Sequence, residues 1–159
     1  MRNDSKSASP RQVTMCNLQK NVPVNTDALE KFAAAAVRAC LRVQKSKATD
    51  LTKLDEIFIL FVSDRRMASL HRKFLNQSGT TDVLTFQHGE IVISAETARR
   101  NARAFGNSLS RELQLYVVHG LLHLHGFDDR SESRAQKMQT IQERILSQAT
   151  VAAVYDRRN

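Results

Sequence analysis

Apolar positions recur along the chain with two different periods, and the change of period marks out its elements. Val13 to Leu18 alternates apolar and polar residues and reads as a first strand, and Pro23 breaks it before a helix that Asn25 or Thr26 can cap. Leu29, Phe32, Ala33, Ala36, Val37, Cys40, Leu41 and Val43 then follow helical spacing to about residue 44. Residues 45–54 are polar and read as a loop. Residues 56–62, EIFILFV, form an apolar run of strand length, suited to a central strand covered on both faces. Ser63 or Asp64 caps a short helix to about Phe74, with Met67, Leu70 and Phe74 on its inner side. Turn-rich 76–80 leads into strands 82–86 and 90–93, a hairpin joined at His88-Gly89. Ser94 caps the next helix, which ends at Gly106 and Asn107. From Ser110 a further helix has almost no polar face: Leu113, Tyr116, Val117, Val118, Leu121, Leu122 and Leu124 make it central. A last helix spans about 131–147, with Ala135, Met138, Ile141, Ile145 and Leu146 inward.

The pattern predicts one α+β domain over 13–147, a mixed sheet of about four strands packed with about five helices. A disordered tail, 1–12, is expected before it and a loosely held tail, 148–159, after it.

The central helix carries chemistry that packing alone does not explain. His119 and His123 are four apart, so their imidazoles share one face and can hold a single Zn²⁺. Gly126 suits a left-handed helix end, after which Asp128 or Asp129 can turn back as a third ligand, leaving a position open for water. Asp129 has a second reading, since with Glu132 it resembles a capping box for the next helix. His125 points about 200° away from His123 and is no ligand; it is a supporting or RNA-facing group. A zincin peptidase needs Glu after the first His, and Gly120 stands there, which removes that mechanism's base. Gly120 also costs the helix about 1 kcal/mol relative to Ala, which suggests close approach of a strand or ligand.

Composition adds a partner class. The 159 residues hold 24 Lys and Arg against 16 Asp and Glu, net +8, with a pI near 10.0, which favours a polyanion. Arg72 and Lys73 are candidates for RNA backbone contacts, and Arg99, Arg100 and Arg103 form a basic stripe. Aromatic residues are 6% of the chain without an RNP-like cluster, so phosphate and shape contacts are expected to dominate. Asp82 reads as a strand-entry carboxylate and His88 as a loop histidine. Cys16 and Cys40, without CxxC spacing, read as reduced, buried small residues of a cytosolic protein. There is no membrane-spanning run and no signal peptide.

The segment His119 to Asp129, HGLLHLHGFDD, resembles the metal motif HGxLHLxGYDH of the YbeY family, zinc-dependent endoribonucleases of ribosomal RNA maturation. Thr81 to Phe86, TDVLTF, resembles that family's TDVLSF block, and Gly89 to Ser94 also fits; the likeness covers about residues 55–146. It implies the same architecture, one Zn²⁺ per chain on His119, His123 and Asp129, single-stranded or ribosomal RNA as substrate and the ribosome as partner. Two departures stand out. Asp129 occupies the place of the family's third histidine, which retunes the site, and Leu75 that of an arginine taken to act in cleavage. The alternative implied by Leu75 is a zinc-containing ribosome-assembly or RNA-binding factor that does not cut. Whether a water or a ribose 2′-hydroxyl attacks is left open by the sequence.

Overall fold

A computed structural model describes residues 12–156. In chain order its elements are β1 (Gln12–Asn17), α1 (Thr26–Arg42), α2 (Asp50–Lys53), β2 (Glu56–Val62), α3 (Asp64–Leu75), β3 (Val83–Phe86), β4 (Glu90–Ser94), α4 (Ala95–Phe105), α5 (Leu109–Leu124) and α6 (Glu132–Asp156). The four strands form one sheet in the order β1-β2-β4-β3. β1 and β2 pair in parallel, as do β2 and β4, while β3 and β4 form the antiparallel hairpin anticipated from the alternation.

The near-continuous apolar run of β2 serves both faces of the sheet. Ile57, Ile59 and Phe61, with Ile91 and Ile93 of β4, face the main core shared with α1, α5 and α6. Leu60 and Val62, with Val92, Leu84 and Phe86, face a smaller cluster closed by Met67 and Leu70 of α3. Helix α5, which carries His119 and His123, and the basic helix α3 thus lie on opposite faces. Alanines 33, 36 and 39 of α1 are buried, letting it pack closely against α6.

Ser63, Ser94 and Asn25 cap α3, α4 and α1, each side-chain oxygen accepting an amide from the first turn. The start of α5 differs from expectation: Ser108, not Ser110, accepts the Arg111 amide. The loop expected over 45–54 contains the one-turn helix α2, held by a reciprocal capping box between Thr49 and Thr52. That makes six helices in the described residues, not about five. The largest correction concerns the end of the chain, where α6 continues past residue 147 to Asp156 because Ala149 and Ala153 are buried. The expected disordered tail falls, but for Gln12 in β1, outside the described residues.

Candidate metal centre

Two close approaches place α5. An added Cβ on Gly120 would lie 2.7 and 3.1 Å from Cγ2 and Cδ1 of Ile91 and 3.3 Å from Cγ2 of Thr85. The absent side chain therefore lets α5 press against β3 and β4, and the strand approach anticipated for Gly120 is the reason for it. At the other end α5 stops in a Schellman turn: Gly126 is left-handed (φ +85°), its amide donates to the His123 carbonyl at 3.1 Å, and the Phe127 amide donates to the Leu122 carbonyl at 3.0 Å.

This turn also orients a ligand. Phe127, just past Gly126, offers its carbonyl to Nδ1 of His123 at 3.0 Å, while Nδ1 of His119 meets Oε1 of Gln142 on α6 at 3.0 Å. With Nδ1 donating to these acceptors, each ring in its neutral form turns the lone pair of Nε2 towards the other. Those two Nε2 atoms stand 3.0 Å apart. Two acceptors at that distance repel unless a proton or a cation lies between them. Burial lowers the pKa of His123, and His119 lowers it further, against opposing pulls from Asp129 and the Phe127 carbonyl. A cation fits between them.

The third group completes a ligand set. Oδ2 of Asp129 lies 4.0 Å from Nε2 of His119, and the ligand atoms of His119, His123 and Asp129 all fall within 4.8 Å of one another. Tetrahedral zinc with bonds of about 2.0–2.1 Å sets neighbouring ligand atoms about 3.3 Å apart, so the two nitrogens already sit near that separation and the half-exposed Asp129 needs only a small inward swing. Asp128 is occupied elsewhere: it accepts the Arg130 amide at 3.1 Å and pairs with Arg134 at 3.3 Å, and the amide first, then the neighbouring arginines, lower its pKa. Nor is Asp129 the cap of α6, because Ser131 accepts the Arg134 amide at 3.2 Å. The capping-box reading fails and the ligand reading keeps its carboxylate.

The remaining candidates are dispersed. His125 is 2% exposed, with Nδ1 2.8 Å from the Thr49 hydroxyl and Nε2 2.7 Å from the Val43 carbonyl. It ties α5 to the segment around α2 and offers RNA nothing, so its reading as an RNA-facing group is withdrawn. Arg72 and Lys73 are exposed in the last turn of α3, across the sheet from the histidines. Leu75, the last residue of that helix, is 53% exposed. Asp82 accepts its neighbour's amide, from Val83, at 2.8 Å at the entry of β3, as expected, and His88 is exposed beside Glu90 at 3.3 Å.

Two groups escaped the sequence reading. Gln142, 23 residues past His119 on the last helix, was not singled out at all. Asp64 looked like a cap and Arg100 like part of a solvated stripe. Instead Asp64 accepts from Ser94 and Thr97, each at 2.6 Å, and pairs with Arg100, joining α3 to α4. Burial alone would raise its pKa, but donation from Arg100, Ser94 and Thr97 outweighs this and holds it at about 2.

With this geometry established, comparison with known proteins gives consistent matches. The sequence model of the family described as Endoribonuclease YbeY matches residues 14–150. A relative from Synechococcus sp. (strain CC9605), named Endoribonuclease YbeY, is 40% identical over 101 residues, which is 54% of this chain and 61% of the relative. Proteins of the same name from Frankia alni and from Thermus thermophilus are 31% identical over 120 residues and 37% over 103, alignments that take in 66% and 74% of those relatives. The chain thus spans under two thirds of the Synechococcus and Frankia proteins. A solution structure from Thermotoga maritima, 23% identical, shares the fold with a TM-score of 0.60 over 86% of this chain and 88% of that one.

Proposed function

The chain belongs to the endoribonuclease YbeY family, and from that premise we propose that it is a zinc-dependent endoribonuclease cutting single-stranded ribosomal RNA, in rRNA maturation and ribosome assembly or quality control. The observation that supports the zinc reading is the pair of Nε2 atoms 3.0 Å apart, with each Nδ1 within 3.0 Å of an oxygen of Gln142 or Phe127. One Zn²⁺ per chain would be held by His119, His123 and Asp129, in the cytoplasm, on a protein whose polyanionic partner is ribosomal RNA or the ribosomal subunit.

Each residue has a definable part. Gln142 and the Phe127 carbonyl keep the two rings turned towards each other, so no reorientation is needed when the site fills. Asp129 offsets one unit of the ion's charge, which makes this centre a weaker acid than one with three imidazoles. Zinc, when bound, supplies Lewis-acid polarisation of a phosphoryl oxygen and acidification of a water. Arg72 and Lys73 would hold the RNA backbone from the α3 side. Gly120 leaves no space for a zincin's glutamate, since even a Cβ there meets Ile91, which favours phosphodiester over peptide chemistry.

A second reading, a zinc-ordered assembly factor that binds rRNA without cutting, is favoured by one observation: Leu75, exposed at the end of α3, cannot hydrogen-bond a phosphate. Labelled single-stranded RNA incubated with zinc-loaded protein separates the two. Cleavage that disappears in His119→Ala at matched RNA occupancy supports the nuclease. Binding by both proteins with cutting by neither gives the assembly factor.

A further inference from the structure

Successive residues of β3 belong to two different surfaces. Thr85 faces α5 beside Gly120, whereas Leu84 and Phe86 face the side covered by α3. On that second side a cavity of about 210 Å³ opens between sheet and helix, floored by Leu60, Val62, Leu70 and Val92 and walled by Phe74 and Phe86. Its rim carries Arg66, His88 and Glu90. The rings are ordered against one another: Phe74 meets Phe86 edge to face with centroids 5.2 Å apart, and His88 stacks on Phe86 at 5.8 Å with 28° between planes. Phe74 is nevertheless 52% exposed. Lys73 reaches over its ring, Nζ 5.4 Å from the centroid.

The surroundings say what would cover these rings. Arg66 borders that cavity, and on the outer side of α3 a groove of about 400 Å³ is lined by Arg65, Arg72 and Lys73. The one acid of that helix, Asp64, is already neutralised by Arg100. An apolar peptide segment would use the cavity and leave the cations unmatched. A flat ring with a polar edge, carried on a backbone with one negative charge per unit, matches both parts at once.

We propose that the α3 face of the sheet is a nucleobase-binding site for single-stranded RNA, one base stacking on Phe74 beside Phe86 and His88 while neighbouring phosphates lie along Arg66 and Lys73. The inference rests on the reading of RNA as substrate and extends it to a surface away from the metal ligands. Glu90, at the rim, supplies an acceptor for an exocyclic amino group of the base. The sheet divides this cavity from α5, and β3 is its edge, so a strand folded over β3 would be anchored by a base on one face and presented to the histidines on the other.

The sequence contains no tryptophan, so Phe74→Trp places a sole reporter in the wall of the site. Its fluorescence is expected to be quenched on adding a single-stranded RNA oligonucleotide and unaffected by an abasic strand of equal length, which keeps the phosphates and lacks the rings. In fluorescence anisotropy, Phe74→Ala and Phe74→Leu should each weaken binding of that RNA, by about 5- to 100-fold for Ala, with the salt dependence unchanged, whereas Arg66→Gln should flatten the salt dependence. Melting temperatures beside the wild type confirm that the variants are folded. Wild-type affinity in both Phe74 variants, or equal quenching by the abasic strand, overturns the proposal and gives the apolar face to a protein partner. If the wild-type protein itself binds no RNA, the RNA reading fails as well.

Discussion

Replacing Gly120 by Ala tests the placement of α5, because the two effects of that methyl oppose each other. In an exposed helix interior the change would stabilise by about 1 kcal/mol through backbone entropy and propensity. Here the new Cβ would lie 2.7 Å from one carbon of Ile91 and 3.1 Å from another, with Thr85 at 3.3 Å, whereas ordinary contacts begin at 3.4 Å. Ile91 is completely buried on β4, between β2 and β3, and has little room to withdraw. Overpacking of that kind costs about 1–3 kcal/mol, and two close carbons on an immobile neighbour place it towards the upper end. The expected net loss is about 1–2 kcal/mol, which in a chain of this size lowers Tm by roughly 2–8 °C. Thermal unfolding followed by circular dichroism measures it. In an Ile91→Ala background the same methyl should enter the space vacated and lose its penalty, a coupling that a double-mutant cycle reads directly. A rise in Tm for Gly120→Ala alone, of the size propensity predicts, would refute the close contact and with it the explanation of how α5 is seated.

Three further outcomes follow from hydrogen bonds of Gln142, Asp64 and His125. Gln142→Ala should weaken zinc binding about 10- to 100-fold in a chelator competition while leaving stoichiometry at one, since the ring of His119 loses the acceptor that fixes it; unchanged affinity would make Gln142 incidental. Asp64 has its carboxyl held near 2 against an ordinary 3.8, so its contribution of roughly 2 kcal/mol is present above about pH 4 and lost as pH falls towards 2. The urea midpoint should decline over that window in the wild type, and Asp64→Asn should be less stable at neutral pH and lack that part of the decline. His125→Ala should cost about 2–4 kcal/mol in urea unfolding, because Thr49 and the Val43 carbonyl lose their buried partner. A variant of full stability but weaker RNA binding would contradict the structural role assigned to His125.

Local signals proved legible where periodicity and capping chemistry act within a few residues. The apolar run of β2, the hairpin of β3 and β4, and the Ser63 and Ser94 caps are of this kind, as are the spacing of His119 and His123 and the turn at Gly126. What stayed hidden depends on partners far along the chain. His125 looked available because its two anchors, Thr49 and Val43, lie 76 and 82 residues earlier. The far end of α6 looked loose because its buried alanines, 149 and 153, are small and separated by polar residues, and only packing against α1 makes them a face. Arg100 is one of three similar cations on α4, and nothing in its neighbourhood marks it as the partner of a carboxylate 36 positions away.

The sheet order carries a consequence for synthesis from the N-terminus. β1 is made first, yet Gln12 pairs with Glu56, and β2 in turn needs β4, where Phe58 meets Glu90. A growing chain cannot close this sheet until β4 has left the exit tunnel. The histidines come later still, and the glutamine that fixes the first of them comes last, on a helix that must also dock on α1. Nascent chains halted before Gln142 would carry both imidazoles without the means to hold the first of them in place. The candidate metal centre is therefore among the last parts of the molecule to mature, and an unfinished chain would lack its arrangement.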